Sequence, residues 1–453
     1  MTRLALNSLR HRAGAFAATA ITLFLGAAIV MAFGSMLDTA GGAAVDSASE
    51  QTLVTMASVV GGWGLVIVAF AASSTLAVAT RKRERELAAL SAIGATRRQL
   101  TRMIVAEAGV LALVATALAV PLAYLGGSAL LGVLRDTDQV ASGVEYAFGP
   151  IAISVGFAVT VLGAVGGAWV AGRRITRLRA REAKLAASLD DARLSRKRKV
   201  AAFLLLALAL DLAVVTATVF NGKGIDAMQT AGQASIWASI GIALLAPALV
   251  GRFATRIAAA LERRGGASGY LAAHNMRRRA RQMASSLMPI ILFTGIATGT
   301  LYMQAIENAA PAVTGGDITA AEAKNIETLN LVVVGVIAVF AAVMLINVLI
   351  SATTQRRQEF ARQRLAGATP PQVVGMVGIE GAALVATGIL FGSLASLATV
   401  IPFSIARTHQ VIPHASILIY LGIVATAVVL TLAASVGTAR RAIQAPAVEA
   451  AAA

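Results

Sequence analysis

The sequence has no cysteine, which excludes disulfides, thiolate nucleophiles and Cys-bound metals. It has only four histidines. His11, His274, His409 and His414 show no metal-ligand spacing, and a metal pair between His409 and His414 on their shared external loop is disfavoured. Charge is scarce: 13% of the 453 residues are Asp, Glu, Lys or Arg, against about 25% in a soluble domain. Such a chain cannot cover a globule with water-facing side chains. There is no P-loop, no His–Glu zinc pattern, no nucleophile elbow and no usefully spaced pair of carboxylates. Enzyme chemistry is therefore not expected, and any ATP hydrolysis must reside on another chain.

What is present is apolar length. Hydrophobic residues make up 57% of the chain and the mean hydropathy is +0.76. Ten runs approach or exceed bilayer-spanning length: roughly 14–37, 53–79, 104–133, 150–172, 200–220, 231–250, 284–306, 329–353, 374–402 and 415–437. A run of about 18 or more apolar residues is long enough to cross. The segments lack period-two alternation, so helices are predicted. The first run is too long for a signal-peptide core and is read as an uncleaved first helix. The fifth and sixth are shorter and are separated by NGKGIDAMQT.

The net charge of +17 raises the question of nucleic acid, but its distribution answers differently. With the N-terminus inside, 35 of the 39 Lys and Arg residues fall on inner segments, leaving Arg135, Lys223, Lys324 and Arg407 outside. This asymmetry is the positive-inside signature of a multi-pass protein, and its basic residues meet anionic headgroups. No nucleic-acid partner is expected. The most basic stretch, 173–199, reads as a solvated headgroup-level helix or a surface for a cytosolic partner. Outer loops are short and several are acidic, carrying Asp38, Asp46 and Glu50, or Asp136, Asp138 and Glu145, or Glu307, Asp317, Glu322 and Glu327. The loop 311–328 has room for a short helix.

The chain repeats itself. Shifted by 273 residues, Arg83, Glu86, Ala88, Gly94, Ala95, Thr96, Gln99, Met103, Glu107 and Leu111 fall on Arg356, Glu359, Ala361, Gly367, Ala368, Thr369, Gln372, Met376, Glu380 and Leu384. Arg173, Arg174 and Glu182 match Arg440, Arg441 and Glu449 at a shift of 267. The layout is two parallel four-helix blocks, 1–183 and 272–453, flanking a two-helix linker, 184–271. The fold class is thus all-α integral membrane, with ten spanning helices and small extracellular loops.

The repeated connectors have a readable grammar. Residues 81–92 extend the second span as helix, and Arg83 and Glu86 are placed to pair at i,i+3. Gly94 ends the helix. Thr96 caps the next, short helix with Gln99 in capping-box spacing, and the third span follows. The second copy, RRQEFARQRLAGATPPQVV, keeps this pattern, with Pro370 at the first helical position. Two such knobs suit a twofold-symmetric soluble partner. Three acids lie within spans: Glu107 and Glu380 near inner ends, and Asp211, read as buried, in the fifth. Such groups must be paired or wet, and pairing with nearby Arg is favoured over a proton or ion site.

The motif R-x-x-E-(L/F)-A…G-A-T-x-x-Q…E, present twice, and the basic exits AGRRITRLRAREA and TARRAIQAPAVEA resemble the FtsX-like permease family of ABC transporters, also called the MacB or type VII group. The resemblance implies one permease chain with two copies of a cytosolic ATPase that binds ATP and Mg2+. Its coupling helices would map to 93–100 and 366–373, so Arg83, Glu86, Gly94, Ala95, Thr96 and Gln99, with Arg356, Glu359, Gly367, Ala368, Thr369 and Gln372, are the expected coupling residues. ATPase closure would move the blocks by mechanotransmission. The family's usual large external domain is missing. The expectation is a permease in a bacterial cytoplasmic membrane, termini inside, that exports or extracts an amphiphile such as a lipid, peptide or hydrophobic antibiotic. The rivals are a regulatory component that moves no cargo, a secondary transporter and, last, a membrane enzyme.

Overall fold

The computed structural model describes residues 13–43, 45–60, 93–177, 196–223, 226–254, 266–310, 356–413 and 415–444. It also describes positions 90, 256–257, 260, 328, 331, 335, 349 and 446–448. Among the described residues all regular structure is helical. The helices are α1 (Ala13–Ala40), α2 (Ser47–Thr55), α3 (Arg97–Asp136), α4 (Pro150–Arg177), α5 (Arg196–Thr218), α6 (Asp226–Leu244), α7 (Gly266–Ala309), α8 (Arg357–Leu365), α9 (Pro370–Thr408) and α10 (Ile417–Ala442).

Seven of these, α1, α3, α4, α5, α7, α9 and α10, are long and apolar enough to cross a membrane. Of the remaining expected spans, 53–79 lies outside the described residues beyond Val60, and 329–353 is described only at 331, 335 and 349. All of 178–195 and of the loop 311–327 also lies outside them. The sixth corresponds to α6, which has 19 residues and runs on into a helical turn at Ala246–Leu249 and a π turn at Val250–Ala254.

Several helices are longer than the apolar runs. α3 has 40 residues, α7 has 44 and α9 has 39. At 1.5 Å per residue each is about 60 Å long, twice the ~30 Å hydrocarbon core. In α7 the span occupies Ser286–Ala309, and the polar segment before it continues the same helix. Pro121, Pro289 and Pro402 sit inside α3, α7 and α9 without ending them.

The chain divides into two compact units, Met1–Asp191 with Ile318–Val336, and Ala192–Asp317 with Ile337–Ala453. In the first, α1, α3 and α4 pack on one another. Their contact faces are lined by alanine, including Ala27, Ala112, Ala115, Ala119, Ala164 and Ala168, which lets backbones approach closely. One end of this bundle is fastened by polar bonds. Asp38 accepts from the backbone N–H groups of Ile151 (3.1 Å) and Ala152 (2.8 Å), satisfying free donors at the start of α4. Asp46 caps α2 through the N–H of Ser49, and that bond, with the Ser49 side chain, holds its carboxyl below the usual range. Asp38 and Asp46, two of the acids expected in outer loops, therefore satisfy helix N-termini.

In the second unit α7 and α9 form the main contact, with α5, α6 and α10 around them. Their crossing depends on glycine. A Cβ on Gly392 would lie 2.6 Å from Thr294 Cβ and 3.0 Å from the Ile291 carbonyl oxygen, and one on Gly388 would lie 2.4 Å from Ile290 Cγ2. Gly392→Ala is expected to destabilise this unit by about 1–3 kcal/mol through overpacking, seen as a lower unfolding temperature in detergent. The Thr399 hydroxyl fastens α9 to α6: it accepts from the Ser235 N–H at 2.9 Å and donates to the Ala231 carbonyl. At one end of the unit Arg407 clamps Glu307 with two bonds, Nε to Oε2 at 2.8 Å and Nη2 to Oε1 at 3.0 Å.

Candidate functional site

Gly94 and Gly367 both have φ near +100°, at 96° and 100°. A β-carbon at either would meet nothing within 4 Å. Glycine is therefore required by backbone conformation and not by space. The bonds across each turn are those of a Schellman ending. Ala95 N–H donates to Leu90 O at 3.0 Å, and Ala368 N–H donates to Gln363 O at 2.9 Å. In the second copy Gly367 N–H also reaches Arg364 O at 3.1 Å.

The next helix starts at once. Thr96 caps α3: its backbone N–H donates to Gln99 Oε1 at 2.8 Å, and its Oγ1 accepts from Gln99 N–H at 3.3 Å. Thr369 N–H donates to Gln372 Oε1 at 2.8 Å in the same box, and Pro370 opens α9. The expected short helix between cap and span is absent: α3 and α9 run unbroken from the cap into the apolar segment. Residues 93–100 and 366–373 are thus a turn plus the first helical turn of a long rod, because the capping box starts a helix and nothing after it stops one.

The separate short helix lies before the glycine. In the second copy it is α8, with Arg356 at its N-cap; the residues joining it to the preceding expected span lie outside the described residues. α8 buries one large side chain, Phe360, among Ala272, Val373, Met376, Val377 and Ala439. Full burial of a ring of this size is worth about 1.5–3 kcal/mol. Arg364 Nη1 donates to the Ile443 carbonyl at 2.8 Å, tying α8 to the end of α10.

Beneath α8 lies a buried ionic knot. Arg356 donates through Nε to Glu359 Oε2 at 3.1 Å. Its Nη2 donates to Glu380 Oε1 at 3.0 Å, and its Nη1 donates to Glu380 Oε2. Asn275 of α7 adds a bond from Nδ2 to Glu380 Oε1 at 3.2 Å. The guanidinium also lies 5.1 Å from the Phe360 ring centroid. The side chains of Arg356 and Glu380 are 13% and 2% exposed. Burial opposes the charge on Arg356, but the two carboxylates outweigh it and hold its pKa above the ordinary value. The knot joins the start of α8, the N-terminal part of α9 and the polar half of α7. Glu380 is therefore an ion-pair partner at the root of the connector.

In the first copy Gly94, Ala95, Thr96 and Gln99 form the turn and cap, while Arg83 and Glu86 lie outside the described residues. Glu107 is buried on α3. Asp211 departs from expectation: it is exposed on α5. Sequence could not show this, because α5 is apolar all round and its inward face is set by packing of Ala202, Ala209, Ala213 and Thr216. An Asp at the centre of a spanning helix costs about 2.5–3.5 kcal/mol on insertion scales. Among the described residues no group of three or more His, Cys, Asp or Glu gathers to hold a metal.

The FtsX-like permease C-terminal family model matches twice, over residues 58–180 and 331–447. The matched stretches begin 273 residues apart (58 to 331) and end 267 apart (180 to 447), the same two offsets that relate the repeated motifs. This chain belongs to the FtsX-like permease family. A search of curated proteins gave no match. Membership makes the permease a multi-pass membrane protein and a transport subunit rather than an enzyme.

Proposed function

We propose that this permease is the membrane subunit of an ABC transporter that exports or extracts an amphiphile, driven by two copies of a separate cytosolic ATPase. ATP and Mg2+ bind in those partners. The site lies in a cytoplasmic membrane with the connectors and both termini on the cytosolic side, and the ten spans form two parallel blocks. The observation that carries this reading is the doubled connector: the same glycine ending and the same capping box occur twice, each leading directly into a helix about 60 Å long. A push on such a turn moves a rod, which is what mechanotransmission needs. In the second copy the ionic knot and Phe360 keep α8 from yielding separately, so force on the turn is shared with α7 and α10. Short external loops leave the cargo to contact the spans themselves, which suits an amphiphile that is already in the lipid.

The test is ATPase coupling. The permease is reconstituted with its ATPase, and hydrolysis is compared with that of the ATPase alone. Glu86→Gln and Glu359→Gln together should remove at least about tenfold of the permease-dependent stimulation while both proteins stay folded. Unchanged stimulation in the double variant would refute the assignment of the connectors.

A further inference from the structure

One face of α5 reads Val200, Leu204, Ala207, Asp211, Val214 and Thr218, all exposed. The spacing alternates four and three, so these residues form one stripe along the helix. α5 is one of the seven candidate spans. Asp211 is twelve residues from Lys199, about 18 Å along α5, and twelve from Lys223, which lies beyond the helix end at Thr218. It therefore sits well inside the apolar length of α5, exposed, and flanked by Phe203, Leu204, Leu210 and Val214.

An ionised carboxylate at that depth is costly, and a paired cation lowers that cost. The chain itself cannot supply one from a second copy, because none of its ten apolar runs contains Lys, Arg or His. A soluble ATPase does not reach that depth. A cation that pairs with it would therefore come on another lipid-dissolved molecule.

We propose that the exposed stripe of α5 centred on Asp211 is a binding site for cationic amphiphiles, molecules with an ammonium group on an apolar body. The aliphatic residues above and below take the apolar body and Asp211 takes the ammonium. This deepens the reading of the permease as an amphiphile transporter by naming the charge class of the cargo, and it rests on that reading for the step from binding to transport.

The absence of cysteine permits a clean test. Val214→Cys is labelled with a small fluorophore in the full-length permease, in phosphatidylcholine nanodiscs without ATPase. Two quenchers are titrated: an alkylamine with a doxyl nitroxide on its chain, and the doxyl fatty acid of equal length. The amine should quench saturably at a concentration at least tenfold below the acid. Asp211→Asn should abolish that difference, and Asp211→Glu should keep it. The same label at Leu125→Cys, an exposed position on α3, should show no preference. Equal quenching by both probes at 214, or a preference that survives Asp211→Asn, overturns the site. So does a second membrane protein that co-purifies stoichiometrically with the wild type and is lost from Asp211→Asn, since its helix would then be the occupant. The nanodisc contains no ATPase, so failure of the coupling experiment leaves this result standing, and failure here leaves the coupling intact.

Discussion

Glu380→Ala is expected to cost the second unit about 3–5 kcal/mol, the range for leaving one member of a buried ion pair without its partner. The guanidinium of Arg356 would stay buried with Glu359 as its remaining carboxylate, while the Asn275 amide would lose its carboxylate acceptor and keep only the Met376 thioether on α9. Glu380→Gln keeps an acceptor oxygen and should cost less, about 1.5–3 kcal/mol, as for a hydrogen bond to a charged group. The informative variant removes both charges. Arg356→Met with Glu380→Met replaces the pair by side chains of similar length, and such exchanges are often neutral or stabilising. Unfolding in detergent should therefore place the double variant near the wild type and far above the sum of the single changes, a coupling of about 2 kcal/mol or more between the two sites. Additive single and double variants would show that the pair does not hold α8 to α9. If the double variant is stable yet fails to stimulate the ATPase, the ions serve alignment of the connector more than stability.

The glycine turn, the cap and the repeat were legible because they are local. A glycine that must adopt positive φ, a Thr–Gln box three residues long and a ten-position identity at one offset need no tertiary information. The seven spans were legible for the same reason, since apolar length alone sets them. What could not be read is what packing decides. Arg356 was expected to pair with Glu359, one turn away, and does. Its stronger grip on Glu380, 24 residues on, depends on α8 folding back over the root of α9. The sequence marks Asp38 only as one acid of a short loop, and its place on the donors at the start of α4 is set by packing. Asp211 was read as buried because an acid in a span usually is. Burial of a uniformly apolar helix is chosen by its neighbours, and α5 turns its alanines inward. The glycine-and-cap pattern itself predicts a separate short helix, onto which the family resemblance maps the coupling helix, but the unbroken rods from Thr96 and Thr369 put a turn there instead.

Those turns carry the second large effect. Ile93, immediately before Gly94, is 82% exposed, and Leu365, the last residue of α8 and two before Gly367, is 57% exposed. Nothing in either turn requires them for folding, and exposed aliphatics are ordinary when scattered. Here they sit on the rigid tips that the proposed ATPase would grip, where a small number of apolar anchors dominates binding. Ile93→Asp and Leu365→Asp should each weaken association with the ATPase by about 2 kcal/mol or more, which is roughly 30-fold in Kd. The unfolding temperature should not move, since neither side chain is buried. Changing both should abolish ATPase stimulation, because either turn alone would leave one block undriven. Charged residues placed instead at Leu125 or Leu418, equally exposed but on the long helices away from the turns, should leave ATPase binding unchanged. If they weaken it as much as the turn variants do, the anchors are not at the turns, and the rods are driven from somewhere else.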